Sequence, residues 1–559
     1  MVTRRSFLAH AAPLALAPWV AGCGRTGSSS SQQASLEPGG ARRPAFRHGV
    51  ASGDPLPTAV VLWTRVSWVA SADAATADVS VGAEPAVEWL LARDVALLDI
   101  AQQGEARARA DADYTVKVDV QGLLPGATYY YQFRVGGVAS PVGRTRTAPE
   151  GHVERLRVAV TSCACYPQGY FHAYRKIAER PDLDLVLYLG DYIYEYENRR
   201  FGDGEPLGRV PDPDREIISL DDYRRRHAQY KLDPDLQEVH RQHPAVVVWD
   251  DHEFADNAYS GGAYNHSPGA EGDWQERKAA AMRAYHEWMP IRSGLSPDAL
   301  GRIYRVLPFG DLVDLIMLDT RVAGRDPLVE DTCHAAAIAD PARSILGAEQ
   351  EGWLFAELTR SRARGARFRF IGQQVAFGQF LGDPPAAGCI GSRDKWSAYA
   401  ASRARVLEHI RAGGIDNVVI LTGDAHSSWG LDIARDPFDT SDYDPATGRG
   451  SLAVEIIVPG VTSPGVTDRE LARASDERYL ATHPHLVYAN QYERGYALVD
   501  VTHERVRAEW YFVSSVREPA AGERLGAAAV SSSGQNHLTL PASLEAERPP
   551  ADAAAPAPA

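Results

Sequence analysis

Short apolar runs, each ending in a residue with catalytic or metal-binding chemistry, recur along the central part of the chain. Residues 185–189 read LVLYL, apolar or aromatic at every position, which is typical of a strand buried on both faces. This run ends in Gly190-Asp191, and Tyr194 follows three residues later. The same form recurs at three other places: 157–161 before Cys163, 245–249 before Asp250-Asp251-His252-Glu253, and 417–422 before Gly423-Asp424-Ala425-His426. The pattern predicts neighbouring strands whose ends share one edge of a sheet.

Amphipathic stretches with helical spacing lie between these runs. They cover residues 174–179, 220–230, 275–288, 348–361 and 397–412. Further apolar runs, some of them partly exposed, are interpreted as strands at 312–318, 368–371, 454–458, 496–501 and 507–513. Strands that alternate with helices predict a layered α/β domain over residues 150–515.

The segment 44–148 has a different pattern, in which strand-like runs alternate with clusters of Gly, Pro and polar residues. Strands are predicted at 59–65, 87–91, 114–120 and 129–135. The stretch 124–131, LPGATYYY, is typical of the turn into a late strand of an immunoglobulin- or fibronectin-like sandwich, where a Tyr hydrogen-bonds back over the corner. We therefore predict a small all-β accessory domain, although an adhesion or carbohydrate-binding module has the same pattern. The stretch 48–55, HGVASGDP, is interpreted as a turn-rich loop.

Both ends of the chain carry targeting or low-complexity patterns. Arg4-Arg5, followed by SFL and a short Ala-rich apolar stretch, predicts a twin-arginine export signal over residues 1–25, because the apolar stretch is shorter than the ~18 residues of a membrane span. Val20-Ala21-Gly22-Cys23 resembles a lipobox, so Cys23 is either a lipid-attachment site or incidental. Residues 26–43 are predicted to be a flexible linker, and the tail 518–559 is expected to be disordered.

Composition narrows the class of protein. With 559 residues, 45% of them hydrophobic, the chain has enough apolar material for two or three folded domains. Its net charge of -15, from 58 basic and 73 acidic residues, argues against a nucleic-acid-binding surface. The acidic balance suits either carboxylate sites for cations or plain solubility. Five cysteines are too few for a disulfide scaffold, and Cys333 and Cys389 either pair outside the cytoplasm or stay free.

The residues at the strand ends together suit metal-assisted hydrolysis. They are Cys163, Asp191, Tyr194, Asp251, His252, Asp424 and His426. Carboxylates are hard oxygen ligands, thiolate and phenolate favour ferric iron, and imidazole binds iron or zinc. Each residue alone also has an ordinary structural interpretation, such as a helix-capping Asp or a core Tyr. Four motifs after four buried strands favour a shared centre, in which one carboxylate bridges two ions ~4 Å apart.

These motifs resemble those of the calcineurin-like metallophosphoesterases, GDxx(D/Y), GNH(D/E) and GHxH. They occur here as GDYIY at 190–194, DDHE at 250–253 and GDAH at 423–426. The PhoD-type alkaline phosphatase/phosphodiesterase branch is more similar still, through HGVASGDP, SCACYPQGYFHAYR, LGDYIYE, VWDDHEFADN, MLDTR, LGAEQEGWL and LTGDAHSSW. The resemblance covers residues 44–515 and implies a layered αββα sandwich for the catalytic domain, preceded by the small all-β domain.

The resemblance also implies the metals and their ligands. The Fe(3+) ligands would be Cys163, Tyr194 and His426, together with Asp191 as the bridge to a second ion. Asp251 and Asp424 stand where the wider superfamily has Asn and His. Carboxylates in place of nitrogen ligands shift the preference from zinc towards calcium, so the second ion is implied to be Ca(2+).

The remaining residues have auxiliary roles by the same resemblance. His252 would protonate the leaving group or contact phosphate. The candidates for binding phosphate oxygens are Asn257, Arg321 and Arg494, and Asp319 is a candidate further calcium ligand. Cys165 is expected to lie outside the ligand set, because the strand should end at Cys163.

The implied function is that of an exported, metal-dependent alkaline phosphatase that hydrolyses phosphate monoesters, and diesters too, by in-line attack of a metal-held hydroxide. Alternatives with the same chemistry are a phospholipase D or another phosphodiesterase acting on lipid or teichoic-acid-like substrates. A non-catalytic envelope metal-binding protein is an alternative of a different class, and the intact His252 argues against it. The expected partners are small-molecule phosphate esters and the twin-arginine export machinery. We expect a monomer in the periplasm, at the cell surface or outside the cell, with or without a lipid anchor.

Overall fold

The computed structural model describes residues 42–70, 84–292, 301–382, 389–546, 549 and 551–558. The predicted export signal, the lipobox Cys23 and most of the predicted linker lie outside these residues. Within the described part, no helix has the length and apolar character needed to cross a membrane.

The largest sheet has nine strands among the described residues and carries three of the four predicted strand ends. In spatial order its strands are Glu523–Ser532, Arg505–Val513, Gly495–Thr502, Arg155–Thr161, Leu185–Leu189, Pro244–Val248, Val50–Leu56, Ala59–Arg65 and Thr115–Gln121. The strands Arg155–Thr161, Leu185–Leu189 and Pro244–Val248 pair in parallel. Every residue of Leu185–Leu189 and Pro244–Val248 is buried, as their continuous apolar sequence predicts.

A second sheet of seven described strands carries the fourth predicted strand end. In spatial order its strands are Arg305–Phe309, Val313–Met317, Phe368–Gln373, Val418–Thr422, Ala453–Ile457, Ser428–Ile433 and Leu486–Asn490. The four strands from Val313–Met317 to Ala453–Ile457 are parallel, and the edge strands run antiparallel to their neighbours. The loop after Val418–Thr422 therefore leaves the carboxyl edge of this sheet.

The two sheets pack face to face and share one core. Leu187 and Val246 from the nine-stranded sheet belong to the same buried cluster as Leu315 and Val419 from the seven-stranded sheet. The Trp510 indole N–H also donates to the carbonyl of Ile457 in the opposite sheet, at 3.0 Å. This apolar layer between the sheets brings their carboxyl edges together, and burial of this kind is the main favourable contribution to folding.

Helices cover the outer faces of both sheets. The described α-helices are His172–Ala178, Leu220–Tyr230, Pro234–Gln242, Pro268–Glu271, Trp274–Trp288, Ala335–Ile338, Gly347–Arg364, Ala400–Ala412 and Arg469–Thr482. The described 3-10 turns are Ala110–Ala112, Tyr166–Gln168, Glu205–Leu207 and Trp396–Tyr399. Leu354 and Leu358 of one long helix pack in a second core with Ile371 and Ile420 of the seven-stranded sheet. The predicted layered αββα fold is confirmed.

The N-terminal segment forms further β structure. Five strands form one sheet: Gly143–Arg146, Thr128–Val135, Ala86–Ala92, Ile100–Arg107 and Val138–Ala139. Arg42–Ala45 pairs with Ser67–Ala70 in a separate two-stranded sheet. The Tyr129 hydroxyl accepts the backbone N–H of Leu124 at 3.0 Å, which is the corner contact that the sequence predicts.

The interpretation of residues 48–55 as a loop is wrong. Val50–Leu56 is a strand, and it pairs in parallel with Pro244–Val248 through Ser52 and Gly53. A Cβ at Gly53 would lie 2.7 Å from the carbonyl oxygen of Ala245, so only glycine permits this approach. The N-terminal segment therefore continues the nine-stranded sheet directly.

The expectation of a disordered tail over 518–559 is also wrong for much of that range. Glu523–Ser532 is an edge strand paired antiparallel with Arg505–Val513. Further on, the backbone of Ala555 exchanges two hydrogen bonds with the Gln242 side chain, at 2.9 and 3.1 Å. Apolar and hydrogen-bonding partners elsewhere in the fold order a segment whose own composition did not predict order.

The four cysteines among the described residues fall into two pairs. Cys333 and Cys389 form a disulfide, one of the two outcomes left open by the sequence. Cys163 and Cys165 are free and buried. The disulfide joins the segments 325–346 and 389–396, and the second of these carries Asp394, which contributes to the site.

The tail strand generates a stability prediction. A chain truncated after Arg517 loses the hydrogen-bond partner of Arg505–Val513, so its melting temperature should fall by about 5 °C or more. A chain truncated after residue 546 keeps the strand and serves as the matched control. Circular dichroism melts of the two chains check this, and equal melting temperatures would contradict the role given to Glu523–Ser532.

Candidate metal centre

The four predicted strand ends converge on one place between the sheets. The Cys163 N–H donates to the carbonyl of Gly190 at 3.3 Å, and the Ala164 N–H donates to the carbonyl of Asp191 at 2.9 Å. A Cβ on Gly190 would lie 2.3 Å from Cβ of Asp250, so this turn fits only glycine. These close backbone contacts fix the candidate side chains relative to one another.

Several candidate ligands have an unfavourable backbone conformation. Cys163, Asp191, Asp424 and His426 have φ values of 61°, 53°, 58° and 52°, in the left-handed region that non-glycine residues rarely adopt. Such a conformation costs about 1 kcal/mol or more at each position, and it persists where the surrounding structure imposes it. The strain aims these four side chains into the same volume, which is a pattern typical of functional sites.

The first group of ligands contains sulfur, phenol, carboxylate and imidazole. Ligand atoms of Cys163, Asp191 and His426 all lie within 4.8 Å of one another. The Tyr194 hydroxyl donates to the Asp191 carboxylate at 2.9 Å and lies 3.2 Å from Nε2 of His426. Ser463 donates a hydrogen bond to the Tyr194 oxygen at 2.7 Å. The structure therefore brings together the four residues predicted as the iron site.

The second group consists of carboxylates. Oxygen atoms of Asp250, Asp251 and Asp424 lie within 4.8 Å of one another, and Asp191 forms a similar group with Asp251 and His252. Asp191 thus links the first group to Asp251 of the second, as expected for a bridging ligand. Asp250, which the sequence left unassigned, joins the carboxylates.

Arg321 occupies a position that differs from the predicted contact with phosphate. Its guanidinium donates to Asp394 at 2.9 Å and to Asp424 at 3.1 Å, and it also bonds the carboxylate of Asp250. Its N–H groups are therefore directed at carboxylates, and the residue balances their charge in a fully buried position.

Asp319 also differs from its predicted role as a calcium ligand. Its carboxylate accepts the indole N–H of Trp249 at 3.0 Å and the backbone N–H groups of Arg321 and Val322 at 2.8 and 2.9 Å. It does not join the carboxylate groups found among the described residues. Cys165 also lies outside the groups of possible metal ligands found among the described residues, as predicted.

The pKa values of the first group of ligands show how a cation would bind there. Burial raises the pKa of the Cys163 thiol well above its usual value, and the nearby Asp191 raises it further. Burial also raises the pKa of Tyr194 well above its usual value, with Asp191 and Cys163 adding to the effect. Burial lowers the pKa of His426 to about 3, so this imidazole is neutral and has a lone pair to offer. A metal would bind here by displacing the thiol and phenol protons.

The carboxylates cannot all be charged without positive neighbours. Burial raises the pKa of Asp191 well above its usual value, and burial raises the pKa of Asp424 to about 6. Burial opposes charge on Asp251 too, but Arg321 and His252 outweigh it and lower the pKa of this carboxyl. One oxygen of Asp191 and one of Asp250 are buried without a hydrogen-bond partner. Unpaired buried carboxylate oxygens beside hard and soft donors fit a site for two metal ions.

His252 lies beside these ligands and is held by a second carboxylate. Its Nδ1 is 2.7 Å from Glu195, whose other oxygen accepts the backbone N–H of Asp256 at 2.7 Å. Burial opposes the charged imidazole, but Glu195, Asp251 and Asp191 outweigh it and raise the pKa of His252 well above its usual value. The ring also stacks on Tyr194 with centroids 4.2 Å apart. His252 is thus fixed in orientation and carries a proton.

Glu253 clamps two of the motifs together, a role that the sequence did not indicate. Its carboxylate accepts the backbone N–H groups of Asp191 at 3.1 Å and Asp250 at 2.7 Å, and it accepts that of Tyr192 as well. Glu195 and Asp394 were also missed as contributors to the site. The sequence offered a signal for Glu195 and Glu253, since both lie inside quoted motifs, but Asp394 lies in a loop far from every motif.

The other predicted phosphate contacts lie at the edge of the site. Asn257 donates its backbone N–H to Asp251 at 2.6 Å and its side-chain amide to Asp256 at 2.7 Å. Arg494 is half-buried and bonds the carbonyl of Tyr492, and the described residues provide it with no ion pair. Its charge contributes to the lowered pKa of His426, which places it close to the first group of ligands.

An aromatic side chain from the segment 196–219 covers the site. The ring of Phe201 stacks on Tyr194 with centroids 5.6 Å apart and lies 5.9 Å from the ring of His426. It therefore shields the first group of ligands from solvent on one side, which strengthens electrostatic interactions within the site.

Comparison with known proteins gives consistent matches over the described fold. The sequence pattern of the PhoD-like phosphatase family matches residues 158–510, and that of the PhoD-like phosphatase N-terminal domain matches residues 31–149. Alkaline phosphatase D of Bacillus subtilis (strain 168) is 36% identical over 489 residues, which are 85% of this chain and 79% of the relative. A solved structure described as that of PhoD superposes with a TM-score of 0.78 at 34% identity, covering 90% of this chain and 92% of its own.

The family match includes every strand end that contributes to the cluster, from Cys163 to His426. The chain therefore belongs to the PhoD-like phosphatase family and is a phosphoric ester hydrolase.

Proposed function

We propose that the protein is an exported, metal-dependent phosphatase that hydrolyses phosphate monoesters and diesters of small molecules. The observation that carries the proposal is the position of Asp191, whose buried carboxylate lies with Cys163 and His426 in one group of possible ligands and with Asp251 and His252 in another. A carboxylate shared by two sets of donors is the arrangement by which two ions act on one phosphoryl group.

The donor chemistry supports different ions in the two halves. Cys163, Tyr194 and His426 with Asp191 would hold Fe(3+), which favours thiolate and phenolate. Asp251 and Asp424, again with Asp191, would hold Ca(2+), which favours several carboxylate oxygens. When bound, such ions polarise the phosphoryl oxygen and make water acidic enough to supply a nucleophile near neutral pH.

The residues of the chain handle the proton and the orientation of the substrate. His252 is protonated and is held through Nδ1 by Glu195, which leaves its other ring nitrogen to protonate the departing alkoxide. Arg494, without an ion pair among the described residues, is the candidate to bind a phosphoryl oxygen. The pairing of His252 with Glu195 favours a catalytic protein over a passive metal-binding one.

Export and membrane attachment rest on the N-terminal sequence. Arg4-Arg5 and the following apolar stretch support the twin-arginine route, and Cys23 is the candidate for a lipid anchor. The disulfide between Cys333 and Cys389 suits a protein that works outside the cytoplasm. We propose a monomer with phosphate esters, rather than nucleic acids, as its partners.

Metal dependence is tested by removing the bridge. Purified full-length protein should lose hydrolysis of a chromogenic monoester and diester on chelation, and it should recover on addition of Fe(3+) and Ca(2+). Asp191→Ala should lower kcat at least about a thousandfold and should not be rescued by the same ions. Unchanged hydrolysis by Asp191→Ala would contradict the proposal.

The proton-donor role of His252 is tested through Glu195. Because Glu195 raises the pKa of His252, Glu195→Gln should lower that pKa and move the alkaline limb of the kcat profile to lower pH. We also expect kcat to fall about tenfold to a hundredfold.

The matched control is Glu216→Gln, because Glu216 bonds the same Asn265 amide but does not touch His252. The alkaline limb should stay in place in this variant. An identical shift in both variants, measured by initial rates across pH, would refute the link between Glu195 and the proton donor.

The clamp by Glu253 is tested by a near-isosteric change. Glu253→Gln turns an N–H donor towards backbone donors, so the free energy of unfolding should fall by about 3 kcal/mol, and kcat should fall with it as Asp191 shifts. Glu351→Gln removes a carboxylate that bonds Ser402 and Arg405 in the outer helical layer, and it should leave kcat unchanged. Denaturant melts and initial rates distinguish them, and a normal kcat in Glu253→Gln would disprove the clamp.

A further inference from the structure

A groove of about 620 Å³ adjoins the candidate iron site through Pro464, which contacts His426. Thr462 and Pro464 form its inner wall. The Pro464 carbonyl oxygen is 3.1 Å from Nδ1 of His426, and the Thr462 hydroxyl donates to the carbonyl of Cys165 at 2.8 Å. The groove therefore shares its wall with the site itself.

The acidic residues that line this groove are already neutralised. Glu493 accepts the Arg524 guanidinium with both carboxylate oxygens at 2.5 Å. Glu523 is paired with Arg180 at 2.7 Å and also accepts the Tyr496 hydroxyl at 2.8 Å. Neither carboxylate is left to balance another cation.

Three other arginines line the groove, and the described residues offer none of them a carboxylate. Arg494 bonds the carbonyl of Tyr492, and the Arg469 guanidinium lies 4.6 Å from the centre of the Tyr492 ring. Arg517 donates to the carbonyl of Gln168 at 3.3 Å. Burial lowers the pKa of Arg494 to about 10, still well above neutral pH, so this half-buried side chain is charged.

An uncompensated positive groove is unusual on a chain whose net charge is -15. Like charges that share a groove repel one another, and solvent screens them only over about 8 Å at physiological ionic strength. Their positions also follow a gradient of exposure, since Arg494 is half-buried beside the site while Arg469 and Arg517 are exposed. A ligand that extends from the site into the groove would thus meet these three cations.

We propose that this groove binds a second anionic group of the substrate, so that the preferred substrates are phosphate esters whose alcohol part carries a further phosphate or another anion. This inference rests on the proposed function, because it takes the phosphoryl group to be bound at the site beside Asp191. Arg494 binds near the reacting phosphoryl group, and Arg469 and Arg517 hold the second anion by charge-assisted hydrogen bonds.

Binding of non-hydrolysable ligands tests the groove independently of turnover. The probes are hexane-1,6-diylbisphosphonate and hexylphosphonate, measured by calorimetry on the metal-loaded full chain. The dissociation constant of the bisphosphonate should be lower than that of hexylphosphonate by about tenfold or more, which exceeds the statistical factor of about two. The preference should shrink as ionic strength rises, because the two outer arginines are exposed.

Substitution of the two exposed arginines, Arg469 and Arg517, tests whether they cause the preference for the bisphosphonate. In Arg469→Ala/Arg517→Ala, the preference should fall to the statistical factor of about two. Arg473→Ala is the matched control, since Arg473 lies on the same helix as Arg469 and is paired with Glu477 at 2.6 Å. It removes one positive charge outside the groove and should keep the wild-type preference.

The outcomes separate this inference from the proposed function. A wild-type preference no greater than about twofold, or a preference that survives the double substitution, overturns the groove as an anion site. Rates of phosphate release from hexane-1,6-diol bisphosphate and hexyl phosphate test the proposed function in parallel. If neither ester is hydrolysed while the binding preference holds, the proposed function fails and the anion groove stands.

Discussion

Negative charge is concentrated around Asp191, and much of the structure serves to hold it there. Asp191, Asp250 and Asp251 are buried and Asp424 is half-buried beside them, in a volume where unneutralised buried charge costs several kcal/mol per ion. Arg321 and the protonated His252 supply part of the compensation. The unpaired oxygens of Asp191 and Asp250 mark where more positive charge is needed, and metal ions would provide it.

A rigid backbone holds these acidic side chains and their neighbours in place. Strands buried on both faces end at one edge, and the turns that follow hold Cys163, Asp191, Asp424 and His426 in left-handed conformations. Glu253 ties two of the turns together through three backbone N–H groups. Since such strain persists only where the surroundings impose it, the packed sheets and the clamp are what make the convergent site stable.

Much of this arrangement could be predicted from the sequence, and the reasons are local. The run at Leu185–Leu189 has the length and continuous apolar character of a doubly buried strand, and its bounds agree with the structure. The strand Val50–Leu56 was missed because Gly53 and Pro55 are typical of turns, whereas in the fold Gly53 permits close packing against Ala245. Tertiary contact outweighed local preference there, as it did in the tail strand Glu523–Ser532.

Some of the site residues could be predicted from the sequence, and others could not. Those that follow a buried strand were predictable, because a strand end and a reactive residue occur together in the sequence. Asp394 was not, since its role depends on a contact with Arg321 across 73 positions of chain. Arg321 was assigned to phosphate through the resemblance to the family, and no local pattern reveals the four carboxylates that surround it.

We propose that two metal ions share Asp191. X-ray anomalous scattering from crystals of the purified, active protein, recorded above and below the iron edge, tests it most directly. We expect an iron peak among Cys163, Asp191, Tyr194 and His426, and a second ion, on the side of Asp251 and Asp424, whose anomalous signal does not change across that edge. An active crystal with no metal peak beside Asp191 would contradict it.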